Sequence, residues 1–469
     1  MPIQRSLRAS SEVKPGGSIS WRCAPNCFSA PRRLPFQLWL LLLALLLNGC
    51  DALPSRPRLP ELPFLQLRGE SEAAEAPLHV FLPEEGDVTE ALRSRVVAWA
   101  AASELQVNLT ASDQYDQELG GRLAGEDPPD LVLVTGFLFP ELASGGLLAP
   151  AEQGFLDPAD LPPRLAAAFT WPGEEAVTWR YCLPREVRTL ALVYDSEGLA
   201  AANQPPPASW DALRTVAIGQ TDVDRNRFGF IEAPDLSRWL PFLYGAGGTI
   251  IDGSGGMALE SPPAGAAMDW YIQVFRDNFA GHAGESNNEW AGEVLGKGKG
   301  GLTIEGNWIA PYFEAEFPDF QYGVAPLPSG PAGLNTSVAF TSCYAVPSGS
   351  SRREDAFELA AILSGPDVVG SLPNDGGWMP ALNGIREEWK RKFPRLTPFA
   401  DAVPTAAVWQ LPPGFDTFLH SFNRGMVQLF AANVEAADFF AELQELGETL
   451  LETAGEPQPS PAATQDSSP

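Results

Sequence analysis

An α/β chain built on parallel sheets is what this sequence predicts, and three observations carry the expectation. Between residues 78 and 134, apolar runs of strand length alternate with stretches of helical period. That β-α-β-α-β order implies a mostly parallel sheet covered by helices. With 469 residues, 45% of them hydrophobic and 10% aromatic, the chain can bury cores in two or three domains. Its 45 prolines and 44 glycines follow no period, which points to many loops between packed elements and away from a fibrous repeat.

The first 49 residues read as a targeting segment. Arg32 and Arg33 precede the apolar run 38–47 (LWLLLLALLL), which is too short to span a bilayer as a mature helix and fits the core of a signal peptide. The tetrapeptide Leu47-Asn48-Gly49-Cys50 resembles a bacterial lipobox, in which Cys50 would be diacylated and become the new N-terminus. An uncleaved anchor is the alternative. Residues 50–77, rich in proline and then acidic, form a semi-rigid tether.

The whole chain carries 31 basic and 59 acidic residues. Removing residues 1–49 takes away six basic residues and Glu12, leaving 25 against 58, a balance of −33. Such a surface repels phosphate backbones and anionic headgroups, so nucleic acid is excluded as a partner and membrane attachment falls to the lipid on Cys50. Only Cys182 and Cys343 remain in the body. In an oxidising compartment a bridge between them is allowed, and two buried free thiols fit equally well.

In chain order, the strand 78–82 (LHVFL) leads through an acidic turn into a helix with Val88, Leu92, Val96, Trp99 and Ala100 on one face. A strand near Val107 and Leu109, a helix with Tyr115, Leu119 and Leu123, and the strand 131–134 follow. The apolar strand 190–194 comes after Arg188, and Ser209 caps a helix opened by three prolines. A helix ends at the glycines 245–248, another spans 264–278, and strand 340–346 precedes helix 355–363. Helices dominate 414–451, and 455–469 is a disordered tail.

Ligands of parallel sheets sit beyond the carboxyl ends of the strands, which singles out Glu84, Glu85 and Gly86 after the first strand and Thr135, Gly136 and Phe137 after the third. The stretch 296–313 (GKGKGGLTIEGNWIAPYF) adds Asn307 and the flat indole of Trp308, a residue type suited to stacking on a weakly polar small molecule. Asp222, Asp224 and Asn226 place oxygen side chains at every second position, like the start of a structural Ca²⁺ loop. Arg227 and Ala233 stand where such a loop wants glycine and a bidentate glutamate.

An ordered set of blocks resembles the extracellular solute-binding proteins of ABC importers, of the maltose-binding-protein-like class. These are DPPDLVLVTGFLFPELASGGLLAP, YCLPREVRTLALVYD, PASWDAL, GLTIEGNWIAPYF, FTSCYAVPSGS and GGWMPAL, in the family's order across roughly 78–450. The resemblance implies a two-lobed, type II periplasmic-binding-protein-like fold with crossings near Arg188, Thr341 and Ala402. Residues 78–187 and 342–401 would form the N-terminal lobe, and 188–341 and 402–454 the C-terminal lobe. It places Trp308 and Trp378 against the ligand from opposite lobes and puts Phe415 on the cleft. Arg188 stands where some relatives have an acidic sugar-binding residue. Its partners would be a small, sugar-like solute and an ABC permease, the protein acting as a lipid-anchored extracytoplasmic monomer that needs no cofactor.

A solute sensor without transport is an alternative. An enzyme is a rival class with little support, because the three histidines form no HExxH and the chain has neither a GxSxG elbow nor a Walker loop. Glu84 with Glu305 is the carboxylate pair a glycosidase reading would need.

Overall fold

The computed structural model describes residues 76–173, 177–277, 280–282 and 290–454. The signal segment, Cys50, most of the tether and the tail lie outside them. The described residues form thirteen strands: β1 (Leu78–Pro83), β2 (Val107–Ser112), β3 (Leu131–Thr135), β4 (Thr170–Pro172), β5 (Thr178–Arg180), β6 (Pro184–Asp195), β7 (Phe228–Glu232), β8 (Ala280–His282), β9 (Gly300–Gly306), β10 (Tyr322–Ala325), β11 (Val338–Ala345), β12 (Met379–Pro380) and β13 (Ala407–Val408). All but the β4–β5 hairpin join one sheet, ordered β2-β1-β3-β11-β6-β9-β7-β8.

The sheet is parallel at both ends and antiparallel in the middle. β1 pairs in parallel with β2 and β3, and β7 with β8 and β9. Between these blocks β11 runs against β3 and β6, and β6 against β9. The long strands β6 and β11 are therefore shared by two parallel α/β blocks. The start of β6 meets β11 and its end meets β9, with Arg188 opposite Phe340. A third passage is made by β13 alongside Val338 and Ala339, a few residues beyond Ala402.

Local sequence explains these elements. β1 is apolar on both faces, as a strand buried between helix layers must be, and Val80, Phe81 and Leu82 are almost inaccessible. Gly86 turns the chain into helix Asp87–Ala102 at φ 58°, a left-handed geometry that glycine adopts without strain. That helix buries Leu92, Val96, Trp99 and Ala100 at the spacing the sequence predicted. The Ser209 hydroxyl accepts from the Ala212 N–H, the cap expected of helix Trp210–Gln220.

Three cores result. One fills the first block around β1, β3 and the end of β11; a second joins Trp239, Phe242, Tyr271, Phe418 and Phe422. The third lies at the shared strands, where Val187, Ala191 and Val193 meet Phe313, Met379, Trp389 and Phe399. Within residues 379–401, Met379, Trp389 and Phe399 pack against β6. Cys182 and Cys343 are buried and disulfide-bonded to each other, not free thiols, and the bond ties the entry of β6 to β11. No helix among the described residues is long and apolar enough to cross a membrane.

Candidate functional site

A cavity of about 370 Å³ opens where the first parallel block meets the shared strands. β1 and β3 deliver Glu85, Thr135 and Phe137 at their carboxyl ends, β6 delivers Arg185, Glu186 and Arg188, and β11 delivers Phe340, Thr341 and Ser342. Tyr115 and Asp116 enter from the start of helix Tyr115–Leu123, and Trp409 from just after β13. Four of the sequence candidates, Glu85, Thr135, Phe137 and Arg188, are therefore brought together.

Charge organises its floor. Arg185 is 5% exposed and gives Nη2 to both Glu85 oxygens at 3.0 and 2.8 Å, while Nη1 reaches the Tyr344 hydroxyl at 3.3 Å. Burial pulls this guanidinium's pKa down, but the charges of Tyr344, Glu85 and Glu186 outweigh it and hold Arg185 above its ordinary value. Glu186 and Arg188 share a face of β6, two residues apart. They form a 3.4 Å ion pair between Oε2 and Nε, yet neither of those atoms makes a hydrogen bond among the described residues. Glu186 Oε1 accepts from the Ser342 hydroxyl at 2.9 Å. The two side chains line the cavity wall, with the paired Oε2 and Nε themselves turned away from its open space. The Tyr115 hydroxyl is engaged with the backbone of Leu133, and burial raises its pKa.

Aromatic faces complete the cavity. Phe137 stacks on Trp409 with centroids 5.9 Å apart and planes 14° apart, and Trp409 meets Phe340 at 6.0 Å. Phe340 in turn meets the edge of Trp308 at 5.5 Å. The four rings form a chain from β3 to the end of β9.

The other candidates sit elsewhere. Glu84 is exposed and its carboxylate accepts from the Gly86 N–H. Asn307 is inaccessible: its Oδ1 accepts from the Thr189 N–H at 3.3 Å and its Nδ2 donates to the Gly376 carbonyl at 3.1 Å, so it fastens the loop before β12 to β6. Trp308, half-buried, lies under the Arg238 guanidinium at 5.5 Å. Trp378 packs beside the first core, and Phe415 is sealed in the second beside Phe418. None of these five lines the cavity. Asp222, Asp224 and Asn226 form a tight turn in which Asp222 accepts from the Arg225 N–H and pairs with its guanidinium. Among the described residues, no group of three or more His, Cys, Asp or Glu is placed to hold a metal ion.

The second parallel block carries a comparable buried cluster at its own carboxyl edge. Arg238 gives Nη2 to both oxygens of Glu305 at 3.0 and 2.8 Å, so Glu305 is engaged by its own block while Glu84 is exposed. Glu232 is inaccessible beside them, and burial raises its carboxyl well above the ordinary range despite Arg238.

The model of the family described as bacterial extracellular solute-binding protein matches residues 86–370, well over half of the sequence. The chain belongs to that family. Its members are extracytoplasmic binding proteins and not enzymes, so the carboxylate-pair reading is set aside. A protein presumed to bind a ligand in Brucella abortus (strain 2308) is 23% identical over 265 residues, covering 54% of this chain and 64% of that protein; one from Brucella suis biovar 1 (strain 1330) matches to the same extent. The match therefore spans less than two thirds of those relatives' length.

Solved structures show the fold to be the two-lobed type II arrangement. A solute-binding protein from Thermotoga lettingae bound with α-D-tagatose superposes with a TM-score of 0.67 at 21% identity, covering 80% of this chain and all of that one. The GacH receptor of Streptomyces glaucescens, described unliganded and with acarbose, gives 0.68 at 20%, covering 81% and 99%. A cyclo/maltodextrin-binding protein with maltotetraose gives 0.70 at 17%, covering 81% and 98%.

Sequence reading missed Tyr115, Asp116, Arg185, Glu186, Phe340 and Trp409. Glu186 was legible in principle, since the strand period puts it on the same face as Arg188. Trp409 carries no local signal, since it stands between Val408 and Gln410 with no glycine or turn residue beside it.

Proposed function

We propose that this chain captures a sugar or oligosaccharide outside the cytoplasm, closes its lobes over it and hands it to an ABC permease, held at the membrane by lipid on Cys50. The observation that carries the reading is the cavity itself. It sets the rings of Trp409, Phe137 and Phe340 beside the half-satisfied Glu186 and Arg188 pair. Sugars present apolar C–H faces and rings of hydroxyls, and they need that combination. The tagatose-, acarbose- and maltotetraose-bound relatives support the same class of ligand.

A bound solute stabilises the folded state by RT ln(1 + [L]/Kd), so the test is a thermal-shift screen of the mature protein against sugars, polyols, amino acids and polyamines. Saccharides should raise Tm selectively. A shift from amino acids or polyamines alone would refute the sugar reading. Delivery is tested separately, by co-purification with a multi-spanning permease and loss of solute uptake in a deletion strain. Fractionation of a Cys50→Ala strain tests the anchor: the protein should leave the membrane fraction.

A further inference from the structure

The charges that line the cavity do not balance. It is lined by the carboxylates of Glu85, Asp116 and Glu186 and the guanidinium groups of Arg185 and Arg188. Both guanidinium groups are already answered from within the wall. Arg185 gives Nη2 to both oxygens of Glu85, and Nε of Arg188 lies 3.4 Å from Oε2 of Glu186. Asp116 is left over: among the described residues its carboxylate makes neither an ion pair nor a hydrogen bond. With each of the other two carboxylates set against a guanidinium, the cavity keeps one uncompensated negative charge.

Asp116 stands exposed in the first turn of helix Tyr115–Leu123, where an acidic side chain also suits the helix dipole. Glu118 supplies that turn with a second carboxylate, so the helix end does not depend on Asp116 alone. The aromatic lining favours the same sign of ligand. Phe137, Phe340 and Trp409 offer ring faces of negative potential, which attract cations. The chain as a whole carries a formal charge of −28, a field that draws cations towards the cavity and repels anions. A neutral hydroxyl gains one ordinary hydrogen bond from Asp116, whereas an ammonium group gains a charge-assisted one and the attraction of the rings.

We infer that the solute is an amino sugar carrying a free ammonium group, and that Asp116 is the residue that selects it over the neutral sugar. This rests on the sugar-binding reading and names the ligand class of the same cavity. Because Asp116 is exposed, the selection is modest: a solvated ion pair and a solvated cation–ring contact each multiply affinity by about two- to fivefold.

The test is isothermal titration of the full chain, at low salt and about pH 6, with glucose, galactose and mannose, their 2-amino derivatives and the neutral N-acetyl forms of these. For the sugar that binds, the amine should bind at least about threefold tighter than the parent sugar, the N-acetyl form should lose that advantage, and added salt should shrink it. Asp116→Asn should bring the ratio below about twofold, and Asp116→Glu should restore it. An amine that binds no better than its parent sugar would overturn the cationic ligand and leave the sugar reading standing. An amine advantage that survives Asp116→Asn would overturn Asp116 as the selecting residue. No binding by any of these compounds would bring down both readings.

Discussion

Replacing Trp409 by alanine removes the one tryptophan that lines the cavity, and the size of the effect can be worked out. An indole face covering ~100 Å² of ligand contributes about 2.5 kcal/mol at the usual coefficient, a factor of about 70 in Kd. At a ligand concentration of about 100 times the wild-type Kd, ligand stabilises the native protein by about 2.7 kcal/mol. With Kd about 70-fold weaker, the same concentration yields only about 0.5 kcal/mol. The assay is denaturant unfolding with and without saturating sugar. It separates this loss from the stability the apo variant forfeits by giving up its contacts with Phe137 and Phe340, about 0.5–1.5 kcal/mol for each aromatic pair. Trp308→Ala is the matched control, because Trp308 touches Phe340 but does not line the cavity; its ligand-induced stabilisation should stay near the wild-type value. If Trp308→Ala erased the ligand effect and Trp409→Ala did not, the placement of the site would be wrong.

Three further outcomes are expected. Glu85→Ala should destabilise the apo protein by about 3 kcal/mol, because it leaves the buried Arg185 without its bidentate partner. Arg185→Met should cost less, since the Glu85 side chain it orphans is 28% exposed and can hydrate; urea unfolding of the pair checks the asymmetry. Replacing Cys182 and Cys343 by alanine opens a loop of 161 residues and should cost about 3–5 kcal/mol, read as a fall in the urea midpoint. The raised carboxyl of Glu232 makes the folded state bind a proton more tightly than the unfolded state does. Stability should therefore be greatest below the ordinary value of 4.5 and fall as pH rises above it, by up to about 1.4 kcal/mol per pH unit for this group. Burial raises Glu305 in the same direction, with Arg238 and Asp235 also facing the cluster. Glu232→Gln should flatten the dependence of Tm on pH above 4.5, and an unchanged slope would exclude Glu232 as its source.

The parallel blocks were legible because each rests on local pattern. The apolar run of β1, the i, i+4, i+7 spacing of Leu92, Val96 and Trp99, and the Ser209 cap are decided within a few residues of chain. The shared strands were only half legible. Nothing in REVRTLALVYD states that its first half meets β11 and its second half β9, because that pairing depends on partners more than about 100 residues away. The same distance hid the chemistry of the floor. Arg185 looks like a solvated charge at the mouth of a strand until β1 brings Glu85 to within 2.8 Å of it. Once that pair neutralises itself, Glu186 and Arg188 are left as the polar groups with hydrogen-bonding capacity to spare.

Asn307 shows the reverse error. A polar side chain beside a glycine and a tryptophan reads as a ligand contact, yet the fold spends both ends of its amide on Thr189 and Gly376. An amide in a junction between strands has backbone groups to satisfy, and satisfying them is worth more than waiting for a solute. A buried polar residue in the hinge therefore marks the site only when its hydrogen bonds are incomplete. By that criterion Glu186 and Arg188, at the point where the two blocks share β6, are the residues on which sugar recognition should turn.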